Sequence, residues 1–248
     1  MNYSKAPISE VIMGIAYNKR KIPIDFFLKN ALLSEDFSVV ELVQPIFLET
    51  LNEFQIQQKI DLTSSGPYLV RRWSKDKKWL FQIQENMIFL NWIRIDSEPV
   101  GRYVGFASIR DKFLSIIATL ENVMKINLRS DIALCDLTYH DRVKWQSEIS
   151  DLSEIAKIIN INTPPKFSEQ GYNNVFSRYT FHDSELNGFG LININTDTAI
   201  DGEQLIKLES YLRGVINSDI ETWFEQAHTK QLKIFEQIFT KEMKAKWF

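Results

Sequence analysis

The nineteen residues from Lys77 to Ile95 constrain the fold more than any other stretch. Trp79, Phe81 and Ile83 alternate with Leu80 and Gln82. Phe89, Asn91 and Ile93 alternate with Leu90 and Trp92. The period of two predicts two strands, and the polar group Gln84-Glu85-Asn86 between them reads as a hairpin turn. Tyr68 to Trp73 supplies a third strand through Ser74-Lys75-Asp76-Lys77, giving an antiparallel meander with aromatic and β-branched cross-strand pairs.

The same reasoning extends along the chain. Ala6 to Tyr17 reads as a strand, with Pro7 at its start where a missing N–H does least harm. Pro23 opens a helix over Ile24 to Leu33. Phe37 to Val43 suggests a strand ended by Pro45, and Phe47 to Ile60 fits neither period. Arg102 to Met124 carries Phe106, Ile109, Phe113, Ile116, Ile117, Leu120 and Val123 at spacings of three and four, one apolar helical stripe.

In the second half, Asp131 to Trp145 is a strand and Asp151 to Ile159 a short helix. Thr163 to Lys166 is a proline-broken loop. Phe176 to Phe181 and Gly190 to Ile194 are strands around a turn at Asp183 to Gly188. A long helix opens near Ser218, where Ser218-Asp219-Ile220-Glu221 has the capping-box spacing.

Two segments share a pattern. Ile15 to Arg20 and Leu137 to Arg142 align at an offset of 122 (139 − 17). That offset lays Phe113, Ile116 and Ile117 on Phe235, Ile238 and Phe239, and Met87 to Ile93 on Glu209 to Val215. Gln204 to Val215, which alone fits a helix as well, thereby becomes a strand. The expectation is an α+β protein of two similar antiparallel β-sheet halves, 1–125 and 126–248, each packed by a long α-helix, with a binding groove between them.

With 44% apolar residues the chain can bury a substantial core, and its net charge of −3 argues against a surface that binds polyanions everywhere. The lone cysteine, Cys135, excludes an internal disulfide and reads as a buried, inert thiol. Met1 to Pro7 lacks the apolar run of a secretion signal, and no uninterrupted apolar stretch is long enough to span a bilayer. The expected location is cytoplasmic.

Candidate chemistry is sparse. Arg71, Arg72 and Trp73, with Lys75, Lys77 and Lys78, form a basic, aromatic cluster of the kind that binds single-stranded nucleic acid, although strand alternation sends Arg72 the other way from Arg71 and Trp73. His228 and Gln231 share a helix face, and both touch the apolar stripe, so each needs a hydrogen-bond partner. His140-Asp141 and His182-Asp183 sit near strand ends. The three histidines lack metal-ligand spacing, and there is no P-loop, Rossmann glycine run, nucleophile elbow or HExxH. No catalytic residue, metal ligand or cofactor is therefore assigned.

Ala6-Pro7-Ile8-Ser9-Glu10-Val11, Trp73-Ser74-Lys75-Asp76, Phe81-Gln82-Ile83, Asn91-Trp92, Leu137 to Arg142 and the closing Ala227-His228, Phe235 and Ile238-Phe239-Thr240 together resemble a sporadically distributed, functionally uncharacterised bacterial family of similar length. The chain departs from it at His140-Asp141, where that family carries Ile/Val-Asn. The resemblance implies no activity or cofactor. It implies a mobile-island or phage-defence neighbourhood and a partner protein encoded nearby. The resulting expectation is a non-catalytic binding component acting through protein–protein contact; the alternative is a nucleic-acid or nucleotide binder, with or without weak hydrolase activity.

Overall fold

The computed structural model describes residues 6–19, 22–24, 36–45, 49–52, 55–58, 69–95, 103–145, 148–150, 152–161, 174–198 and 202–247. The expected helix over 24–33 and the loop over 163–166 lie outside them, apart from Ile24. The strands are β1 (Ile8–Tyr17), β2 (Val39–Val43), β3 (Glu49–Asn52), β4 (Gln55–Gln58), β5 (Leu69–Trp73), β6 (Trp79–Gln84), β7 (Met87–Ile93), β8 (Ile132–Lys144), β9 (Phe176–Asp183), β10 (Gly188–Thr198) and β11 (Gln204–Gly214). The helices are α1 (Phe106–Met124), α2 (Ile220–Ile238) and the short α3 (Lys241–Ala245), with a 3-10 turn at Leu152–Lys157.

Nine strands form one antiparallel sheet in the order β2-β5-β6-β7-β1-β8-β11-β10-β9, and β3 and β4 make a separate hairpin. The meander of β5, β6 and β7 forms as the alternation predicts. The stretch that fits neither period contains the β3–β4 hairpin. Residues 204–214 are a strand, in line with the offset argument.

The expectation of two side-by-side sheets is corrected. β1 and β8 hydrogen-bond directly, from Glu10 opposite His140 to Ala16 opposite Leu134, so the halves fuse into one continuous sheet. A single offset of 122 does not carry from strand to helix either. Twelve residues separate β7 from α1, but only five separate β11 from α2. The helix starts are therefore 114 apart (220 − 106). At that spacing the buried stripe Phe106, Ile109, Phe113, Ile117, Leu120 of α1 corresponds to Ile220, Trp223, Ala227, Gln231, Ile234 of α2.

Strand parity divides the side chains cleanly. Val11, Met13 and Ile15 of β1, Ile88, Leu90 and Trp92 of β7, and Leu137 and Tyr139 of β8 face the helices and form the main core with both stripes. α1 and α2 lie side by side and antiparallel: Phe113 meets Phe224 edge-on at 5.6 Å, while Phe106, earlier in α1, stacks on His228, later in α2. A second cluster extends this layer beneath the 3-10 turn and α3, joining Ile155, Ile158, Phe239 and Trp247 to Ile194 and Ile206.

Helix ends follow local chemistry. α2 is capped by Asp219, whose carboxylate accepts from Thr222 N, rather than by the expected Ser218. The carboxylate also bonds the Thr222 hydroxyl, so both its oxygens are used at the positive end of the helix. Among the described residues, no helix is long and apolar enough to cross a membrane.

Every described helix packs on one face of the sheet. The opposite face carries two small apolar clusters built from strand residues alone, one around Ala16, Met87 and Phe89, the other of Phe189, Leu191 and Tyr211. Between them, at the join, lies Gly14 opposite Asp136. Gly14 is required there because the ring of its other neighbour, Phe89, lies across it; a Cβ would sit 2.1 Å from the ring. Gly14→Val is expected to destabilise the fold by about 1–3 kcal/mol. A double-mutant cycle with Phe89→Ala, followed by urea denaturation, should recover much of that loss, and purely additive effects would contradict the ring-over-glycine packing.

Candidate functional site

Two groups of polar side chains converge where β1 begins, β7 ends and β8 passes, one on each face of the sheet. The local backbone explains the crowding. β1 takes two steps, from Ile8 to Glu10, against one step on β8, from Asp141 to His140, so Ser9 sits in a bulge. Ser9 Oγ donates to His140 O, Arg94 N donates to Ser9 O and Arg142 N donates to Pro7 O. The bulge turns Ile8 onto the helix face beside Asp141, while Glu10 stays on the strand face beside His140.

On the strand face, eight adjacent strands each contribute one polar residue. In sheet order these are Arg71, Gln82, Asn91, Glu10, His140, Glu209, Asn193 and Arg178. Arg71 Nε donates to Gln82 Oε1 at 2.8 Å, Gln82 Nε2 to Asn91 Oδ1 at 3.0 Å and Asn91 Nδ2 to Glu10 Oε1 at 2.6 Å. From the other side Asn193 Nδ2 donates to Glu209 Oε2 at 2.9 Å, and His140 Nε2 lies 3.7 Å from Glu209 Oε1. At strand spacing the row spans roughly 34 Å. Its centre is acidic and its ends are basic.

Above this row a cavity of about 490 Å³ is lined by Trp73, Lys77, Arg94 and Arg142 together with Glu10 and Glu41. Trp73 is held by its Nε1 donating to Glu41 Oε2, and Lys77 Nζ lies over its ring, 5.0 Å from the centroid. The basic cluster expected from sequence is thus divided. Arg71 and Trp73 share the strand face, Arg72 is buried on the other, where desolvation lowers its pKa, and Lys75 is exposed in the β5–β6 turn.

On the helix face, His228 and Gln231 both reach the sheet. Gln231, 4% exposed, donates to Leu137 O and Ser210 O and accepts from Ser210 Oγ, so it staples α2 to β8 and β11. His228 stacks on Phe106 with centroids 4.0 Å apart, and its Nδ1 is 3.0 Å from Tyr139 Oη, itself 3.2 Å from Tyr103 Oη. Burial lowers the His228 pKa to about 4, so the imidazole is neutral near pH 7 and Nδ1 can accept from Tyr139. Burial also raises both tyrosine pKa values, and the pair acts only as neutral hydroxyls.

Asp141 is the residue that sequence reasoning undervalued. It is 3% exposed, and its Oδ1 has no hydrogen-bond partner. Desolvation raises its pKa to about 7, against a smaller opposing pull from Arg94. Nothing local distinguished it from a surface aspartate, because its burial comes from β1, α2 and β11.

The histidines do not meet. His140 and His182 lie on the strand face and His228 on the other, and the described residues hold no group of three or more His, Cys, Asp or Glu placed to bind a metal ion. Cys135 is buried in β8, and burial raises its thiol pKa. No protein-family model, curated protein or solved structure matches the chain.

Asp141 and His228 impose opposite pH dependences. Asp141 has a folded-state pKa above the unfolded value of about 3.9, so its contribution is complete below that pH and is lost as pH rises through 7, up to about 4 kcal/mol. His228 has a folded-state pKa below the unfolded value of about 6.5, so its contribution is complete above that pH and is lost as pH falls through 4, up to about 3 kcal/mol. Between pH 4 and 6.5 the two largely cancel. Melting temperatures over this range should rise with pH in Asp141→Asn and fall with pH in His228→Phe; parallel slopes would exclude this assignment.

Proposed function

We propose that this protein is a non-catalytic binding component of a bacterial system, acting through protein–protein contact, and that the strand face of its sheet makes the contact. The observation that carries the reading is the polar row from Arg71 to Arg178, hydrogen-bonded from Arg71 to Glu10 and again between Glu209 and Asn193, on the face away from every described helix. Six of its eight members already hydrogen-bond a neighbour in the row, so less side-chain freedom is lost when a partner arrives. The acidic centre at Glu10 and Glu209 suits lysine or arginine side chains of a protein and repels a phosphate backbone. On this reading the partner is encoded nearby, in the mobile-island or defence neighbourhood that the sequence resemblance implies.

The same reading treats the chain as two copies of one unit. β1 and β8 stand at the centre; β7, β6 and β5 extend one way and β11, β10 and β9 the other, and a long helix follows β7 and β11 alike. A pseudo-twofold sheet of this kind gives a partner a wide surface with the join at its middle.

Full-length tagged protein, expressed in its native host, provides the test. A protein retained by the wild type and by Lys233→Glu on α2, but lost from folded Glu10→Lys/Glu209→Lys, is the expected result. Retaining nothing, or retaining a protein equally with all three, would count against the reading.

A second reading, binding of a nucleotide or single-stranded nucleic acid, is favoured by the 490 Å³ cavity, where Trp73, Lys77, Arg94 and Arg142 combine an aromatic ring with cations. It predicts salt-dependent binding to single-stranded RNA or DNA that Arg71→Glu/Trp73→Ala weakens at least tenfold. Absence of binding at low salt would end it.

A further inference from the structure

The helix face has a second cavity, independent of the strand-face contact just proposed. It lies at the Ser9 bulge, under α2, and opens beside Leu232, which is 41% exposed. Its volume is about 50 Å³ of room for atom centres, space for roughly four water-sized atoms. Ala6, Ile8, Leu208, Phe235 and the ring of Tyr139 make the walls apolar.

The polar groups in that lining divide into satisfied and unsatisfied. Gln231 and Ser210 bond each other and two backbone carbonyls. The Tyr139 hydroxyl is engaged by His228 and Tyr103. Asp141 differs: its Oδ1 is buried, lacks a partner and belongs to a residue that lines the cavity. Leaving a buried carboxylate oxygen unpaired costs more than leaving a neutral acceptor so. A ligand that supplies one cationic donor on a short apolar chain, four or five heavy atoms in all, matches both the walls and the gap.

We propose that this cavity binds a small alkylammonium group, its N–H donating to the Asp141 carboxylate and its carbon chain lying against Ile8, Leu208 and Phe235. The ligand class is a short aliphatic primary amine, free or at the end of a larger molecule whose remainder emerges past Leu232. An alcohol would present the donor without the charge, and a carboxylate would meet Asp141 with like charge.

The test is a titration of the 15N-labelled full chain with n-butylamine hydrochloride at pH 8, where Asp141 is ionised, with n-butanol and sodium butyrate in parallel. Expected are saturable amide shifts around Leu208 to Ser210 and Gln231 to Phe235 for the amine, at least tenfold weaker binding of butanol and none of butyrate. Asp141→Asn should weaken amine binding at least tenfold. If that variant fails to fold, Leu232→Trp, which fills the mouth and leaves Asp141 in place, should do the same. Absence of saturable shifts, equal response to all three compounds, or amine binding unchanged in the folded variant would each overturn the proposal.

Discussion

The pairing of β1 with β8 decides the rest of the structure. β1 is also paired with β7, so its backbone is bonded on both sides and it can sit only in the middle of a sheet. Once β8 joins it, each half-chain has one direction in which to add strands, and the sequence supplies three on each side, with β2 beyond β5. The helices that follow β7 and β11 then have one shared apolar surface to cover. They arrive on the same face and pack against each other as well as against the strands, through Phe113 with Phe224 and Phe106 with His228. Burial of the two stripes, at about 25 cal/mol per Å² of apolar area, binds the halves into one core.

Consequences for function follow from that asymmetry of faces. The helix face is covered by the helices, and the polar groups that enter it are bonded, as Gln231 is, or stacked, as His228 is, apart from Asp141 beside its cavity. The strand face has no such cover from the described helices, and its polar residues bond laterally from strand to strand. Interstrand hydrogen bonding of side chains fixes their rotamers without filling the space above them, which suits a contact surface better than a core.

How much of this was legible in the sequence depended on range. Alternation over Trp79 to Ile93 and the three-four spacing over Phe106 to Leu120 are local signals, and the elements formed within a few residues of where those patterns place them. α1 began at Phe106 rather than Arg102, behind Gly105 at φ 88°, a non-helical conformation that glycine adopts without strain. The cap moved from Ser218 to Asp219 because both can serve and only the backbone path chooses between them. The fusion of the halves was not legible, since two strands with matching patterns read alike whether they pair with each other or lie in separate sheets. The basic cluster was half legible: parity separated Arg72 from Arg71 and Trp73, but the arrival of Arg94 and Arg142 beside Trp73 is a tertiary fact.

Two aspartates of β8 show how parity and context set the fate of one residue type. Asp136 and Asp141 are five residues apart, an odd number, so they point to opposite faces. Asp136 accepts from Arg213 Nε and from the Thr138 hydroxyl, and Arg213 lies 4.3 Å from the Tyr211 ring centroid, so the buried charge is enclosed by partners on the strand face. Removing either member of such a pair typically costs 3–5 kcal/mol, which marks it as structural. Asp141 is equally buried but has an unbonded oxygen, and the bulge at Ser9 interrupts the ladder beside it. A fold that encloses one carboxylate with partners and leaves its neighbour on the same strand incompletely bonded beside a cavity has the first as scaffold, and this contrast is what supports the second as the proposed binding group.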